Sequence, residues 1–128
     1  MPKQEIKSDS APRAIGPYSQ AVRSGNFLFL SGQIPIDPAT GELIEGNVEA
    51  QTKQVLRNIE GLLKAAGLGP QHVVKATVYL KDLSTFGEMN SVYGGFFAPP
   101  YPARSTVEVK GLPKGSMVEI DVMAMFNE

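Results

Sequence analysis

Phe27-Leu28-Phe29-Leu30-Ser31-Gly32-Gln33-Ile34 is the stretch on which the fold of this chain turns. A strand with one wet face alternates apolar and polar residues. This one is apolar at every position through Leu30, which predicts a strand covered on both sides. Gly32 then interrupts the row of side chains and permits close approach to the backbone. Ahead of it, Ala21–Ser24 and the turn Gly25-Asn26, whose residues both tolerate positive φ, complete a hairpin.

Working outward, Gln4–Lys7 reads as a short first strand and Ser8–Gln20 as a bent loop holding Pro12, Gly16 and Pro17. Tyr18 follows the Gly16-Pro17 pair, which either aims its phenol or merely leaves a surface tyrosine at the core edge. Ile34–Gly46, with Pro35, Asp37-Pro38 and Thr40-Gly41, is expected to be loop. The spacing of Val55, Leu56, Ile59, Leu62, Leu63 and Ala66 predicts a helix from Val48 to Ala66, capped by Asn47 and ended by Gly67. Val73–Leu80 is a strand, with Val74, Ala76, Val78 and Leu80 facing one way and Val73, Lys75, Thr77 and Tyr79 the other. A second helix follows Asp82-Leu83-Ser84 and runs to Phe96, burying Phe86, Met89, Val92, Tyr93 and Phe96 despite Gly87, Gly94 and Gly95. Pro102–Val109 and Met117–Phe126 are the last two strands.

The order β-β-β-α-β-α-β-β describes a single α+β domain over 1–128, one sheet with two helices on one face. Strands such as Phe27–Leu30 and Val122–Met125 are apolar on both sides, so the second face must meet a large apolar partner. A further copy of the chain is the simplest one. That face is also expected to carry Arg104, Thr106 and Glu119.

Composition narrows the function. With 42% hydrophobic and 20% charged residues and a net charge of −1, the 128 residues lack the basic surplus of a nucleic-acid binder. No apolar run approaches the ~20 residues of a membrane span, and Met1–Lys7 has no signal-peptide core. The absence of cysteine fits a reducing cytoplasm and removes thiolate chemistry. The lone His72, expected in a solvated loop, builds neither a metal site nor a Ser-His-Asp triad. No metal or cofactor is expected.

Arg104 is the residue with the sharpest demand. In Pro102–Val109, Arg104, Thr106 and Glu108 alternate with Ser105, Val107 and Val109. A guanidinium in apolar surroundings needs acceptors for its five donors. Either Glu119 or Glu108 pairs with it as interface glue, or it waits for a carboxylate from outside.

Ile15-Gly-Pro-Tyr-Ser-Gln20, Phe29-Leu-Ser-Gly-Gln-Ile-Pro35, Asn58-Ile59, Val73–Lys81, Pro102-Ala-Arg-Ser105, Leu112-Pro113 and Val118-Glu-Ile120 together resemble the RidA (YjgF-like) family. The resemblance covers nearly the whole chain. It implies a chorismate-mutase-like fold and a homotrimer with a central barrel and ligand clefts between subunits. It also implies hydrolysis of small imino and enamino acids, such as 2-aminoacrylate and 2-iminobutanoate, to 2-keto acids and ammonia. Carried over by position, Arg104 is the carboxylate binder, Glu119 positions the water and Tyr18 is the active-site phenol. Ser31 and Gly32 supply backbone, and Asn90 and Tyr93 lie near the cleft. Thr106 stands where many enteric members have cysteine, so only its backbone contact carries over. Two other readings stay open: a non-enzymatic sensor of small carboxylates, and the endoribonuclease or translation-inhibitor role some relatives are named for.

Overall fold

The computed structural model describes residues 2–127, so both ends of the 1–128 span lie outside it. In chain order the strands are β1 (Gln4–Ile6), β2 (Ala21–Ser24), β3 (Phe27–Leu30), β4 (Ile36–Asp37), β5 (Glu42–Leu43), β6 (Val73–Leu80), β7 (Ala103–Glu108) and β8 (Val118–Met125). The helices are α1 (Val48–Ala65) and α2 (Phe86–Phe96). Six strands form one sheet in the order β1-β2-β3-β8-β6-β7, in which only β6 and β7 run parallel.

That order explains where the helices lie. The chain leaves β3, crosses through α1 to β6, then through α2 to the adjacent β7. Both crossovers advance the same way along the sheet, and crossovers of one hand then lay both helices on the same face. Ala76, Val78 and Leu80 of β6 and Val118, Ile120, Val122 and Ala124 of β8 pack beneath Val55, Ile59, Leu62 and Leu63 of α1. The opposite face is bare. Phe27 and Phe29 leave about two-fifths of their surface exposed there (40% and 41%), as do Val107 and Met125 (42% and 38%).

The local chemistry of α1 matches its sequence. Asn47 Oδ1 accepts from Ala50 N at 2.9 Å, and the helix ends in a Schellman pair, Leu68 N to Leu63 O at 2.8 Å and Gly67 N to Lys64 O at 2.9 Å. Gly67 takes the left-handed φ of +80° that this closure requires.

Four details depart from expectation. The 34–46 segment is not all loop: β4 and β5 pair as a small separate ribbon, held to α1 by buried Asn58, whose Nδ2 donates to Ile36 O at 2.9 Å. The pairing of β6 with β8 is irregular between Val73 and Lys75, so Val73 is buried and Val74 is 40% exposed, the reverse of simple alternation. In α2 only Met89 and Tyr93 are buried, and Phe86 lies at the surface. His72 is half-buried in a short 3-10 turn, its Nδ1 accepting from Gly69 N at 3.0 Å, so it is a structural cap rather than a solvated residue.

Candidate functional site

All the expected site residues except Thr106 line one of two clefts, and the pairing across the sheet shows why. In the parallel ladder Arg104 lies beside Ala76 and Thr106 beside Val78, both partners buried under the helices. Arg104 and Thr106 therefore belong to the helix-covered face. Glu119 lies opposite Tyr79, between the buried Val118 and Ile120, and so projects from the bare face. The expectation that Arg104, Thr106 and Glu119 share the uncovered face is corrected: only Glu119 is there. An edge strand such as β7 is covered unevenly, so Val107 can point to the open side while Arg104 and Thr106 take the side of α2.

The first cleft, about 470 Å³, is lined by Asn90, Tyr93, Gly94, Tyr101, Pro102 and Arg104. Arg104 Nη1 donates to Asn90 Oδ1 at 2.8 Å, and its guanidinium carbon lies 4.7 Å from the Tyr93 ring centre and 5.4 Å from that of Phe86. Both rings add cation–π attraction. Among the described residues no carboxylate pairs with it. Glu108, one of the two internal candidates, instead accepts from Leu83 N at 2.8 Å and fixes the turn into α2. Tyr93 Oη, in this cleft, is buried without a hydrogen-bond partner, as is Thr106 Oγ1, two residues along β7 from Arg104 and outside the cleft lining. Burial pushes the Tyr93 phenol above its ordinary 10.0, and the nearby Arg104 charge works against that rise. A guanidinium with spare donors beside an orphaned phenol is a polar environment whose complement is missing from the chain itself.

The second cleft, about 590 Å³, brings together Tyr18, Ser31, Gly32 and Glu119. Buried Gln20 builds its wall: Nε2 donates to Ser8 O (3.0 Å), Ala11 O (3.3 Å) and Pro12 O (2.7 Å), while Oε1 accepts from Ser8 N (2.9 Å). Ser31 Oγ donates to Ser19 O at 2.6 Å, so this hydroxyl fixes the loop that carries Tyr18. Tyr18, 52% exposed, is turned back by Gly16 (φ +127°), and its Oη accepts from Ile15 N at 3.3 Å. A methyl group at Gly32 would collide with the Glu119 carboxylate, so the missing side chain is what seats that carboxylate. Burial, and secondarily Asp121, raise the Glu119 carboxyl above its ordinary 4.5. Asp121 itself accepts from Tyr79 Oη at 3.1 Å. Arg13 and Lys114 were not singled out from sequence, and Gln20 and Asn58 stood only within quoted motifs, with no role given to either.

Another hollow, about 750 Å³, lies elsewhere, between α1 and α2. Its walls include Glu49, Lys53, Arg57 and Glu60, a solvated helix face, and it holds none of these residues. Among the described residues no cluster of metal-ligating side chains occurs, and no helix is long and apolar enough to cross a membrane.

The Endoribonuclease L-PSP family profile matches residues 8–126. The chain belongs to this family, that of the RidA (YjgF-like) proteins. Among RidA-family relatives, it is 52% identical over 122 residues to a RutC family protein of Pyrococcus horikoshii, covering 95% of this chain and 97% of that one. It is 44% identical over 123 residues to the 2-iminobutanoate/2-iminopropanoate deaminase of Mus musculus, covering 96% and 91%. The solved structure of E. coli TdcF with bound serine superposes with a TM-score of 0.91 at 40% identity, covering 97% of this chain and 99% of that one. The chorismate-mutase-like fold of the RidA family is the fold of this chain.

Proposed function

We propose that this protein is a cofactor-independent imine deaminase of the cytoplasm, hydrolysing small 2-imino and 2-enamino acids to 2-keto acids and ammonia. The observation that carries the reading is Arg104, held by Asn90 and two aromatic rings, unpaired with any carboxylate among the described residues, with the orphaned Tyr93 hydroxyl in the same cleft. The deaminase name of the mouse relative supports it.

In this reading Arg104 clamps the substrate carboxylate through two parallel N–H donors, a geometry lysine cannot copy. The imine carbon is then fixed, and water oriented by Glu119 attacks it. The proton removed from the water goes to Glu119, the nitrogen gains one through Tyr18, and the carbinolamine collapses to the ketone with loss of ammonia. An enamine enters the same route once its tautomer, the imine, forms. Main-chain groups near Gly32 and Thr106 meet the substrate nitrogen. Imines hydrolyse readily in water, so a sparse site suffices.

Because Arg104 and Glu119 lie on opposite faces, the complete site is proposed to form between subunits, one copy giving Arg104, Asn90, Tyr93 and Thr106 and its neighbour Tyr18, Ser31, Gly32 and Glu119. A homotrimer with the bare faces lining a central barrel provides that juxtaposition and covers Phe27, Phe29 and Met125.

The test couples the protein to a PLP-dependent threonine or serine dehydratase and times keto-acid release. Acceleration by wild type and none by Arg104→Ala is expected. Binding of a keto acid without acceleration would leave only the sensor reading. RNA breakdown that depends on Arg104 would favour the endoribonuclease name instead.

A further inference from the structure

The Glu119 cleft is also lined by Arg13 and Lys114, while Pro12, Ile15, Ile34 and Pro113 make much of the rest. Glu119 is its one acidic residue, so the lining carries one net positive charge. Neither cation pairs with a carboxylate among the described residues. Arg13, with Tyr18 and Gln20, lines both this cleft and a smaller hollow containing Glu5 and Asp9, and Glu5 there lies 4.0 Å from Lys7.

Both cations sit on fixed backbone. Arg13 follows Pro12, whose carbonyl is held by Gln20 Nε2 at 2.7 Å. Lys114 has φ 57° and ψ 19°, a left-handed conformation found at no other described non-glycine residue. Gly115 N to Leu112 O and Ser116 N to Pro113 O, both 3.1 Å, close that turn. Glycine would occupy the position without strain, so a lysine there points to a use for its charge.

Resting on the deaminase reading above, we propose that this cleft selects imino acids bearing a second acid group, with Arg13 and Lys114 holding the distal carboxylate. Glu119 alone would repel such a dianion; the two cations reverse that preference at the far end while Arg104 of the adjoining copy takes the carboxylate next to the imine. Two exposed cations act by attraction more than by rigid clamping, so the effect should appear mainly in KM and weaken with added salt.

The experiment compares two imines generated in place by an L-amino-acid oxidase, one from 2-aminobutanoate and one from glutamate, and follows their disappearance with a carbonyl trap. For wild type, kcat/KM should favour the diacid imine. Arg13→Ala, and Lys114→Gly chosen because the left-handed backbone accepts glycine, should each lower the diacid-to-monoacid ratio by roughly three- to tenfold, and the pair by more. A wild type that prefers the monoacid, or a ratio unmoved in the double variant, overturns the diacid selectivity and leaves the deaminase reading intact. Wild type accelerating neither imine overturns the deaminase reading, and this inference with it.

Discussion

Arg104 and Glu119 stand on opposite faces of one sheet: the first beside Ala76 under the helices, the second opposite Tyr79 on the bare side. One small acid cannot touch both within a single chain. Mixing therefore discriminates. Arg104→Ala and Glu119→Gln proteins, each inactive alone, should regain about a quarter of wild-type activity after equal mixing and reassembly, the statistical share of interfaces with both residues intact. No recovery in a verified mixed oligomer would place the whole site inside one chain.

Replacing Arg104 tests the clamp. Arg104→Ala and Arg104→Lys should both lower kcat/KM for imine hydrolysis by roughly a hundredfold or more, with the thermal transition and oligomer size unchanged. Full activity in the lysine variant would rule out bidentate binding.

Gly32 seats the Glu119 carboxylate, so Gly32→Ala should displace it. An ångström of misplacement is enough for a loss of roughly a hundredfold. Here the fall should be in kcat rather than KM, since Arg104 is untouched. An unaltered kcat would show that the carboxylate works from another position.

The raised carboxyl of Glu119 gives activity and stability opposite trends with pH. With Glu119 as the proposed base, activity would need its ionised form, so kcat should decline on acidification through a value above 4.5. The folded state holds that proton more tightly than the unfolded chain, so its contribution to stability is present at low pH. It is lost as pH climbs from 4.5 through the raised folded value. Glu119→Gln should flatten this part of a plot of Tm against pH; an unchanged slope would assign the effect to another group.

Gly61 of α1 lies against the N-terminal loop, where an added methyl carbon would sit 2.7 Å from Ser10 O. Since that neighbour is backbone, Gly61→Ala should destabilise by about 1–3 kcal/mol in chemical denaturation. Wild-type stability would mean the loop yields freely.

Much of this was legible in the residues. The apolar run of Phe27–Leu30, the capped helix after Asn47 and the alternation through Arg104 each follow from a local period, and the described structure keeps them. What local period could not supply was which side of the sheet each alternation faced. That depends on β7 lying parallel to β6 at the edge, and on the irregular pairing that exchanges Val73 and Val74. Buried amides escape a local period for a different reason: Gln20, Gln51 and Asn58 are buried by the loops they hold, which no neighbouring residue in sequence announces.

Both helix-bearing connections advance the same way along the sheet, and this leaves the molecule lopsided by topology rather than by composition. Substitutions on β3 or β8 can make the naked side more polar, but they cannot supply a second layer. Only a rerouted chain could do that, so the naked side is a property of the connectivity, beyond the reach of any single replacement.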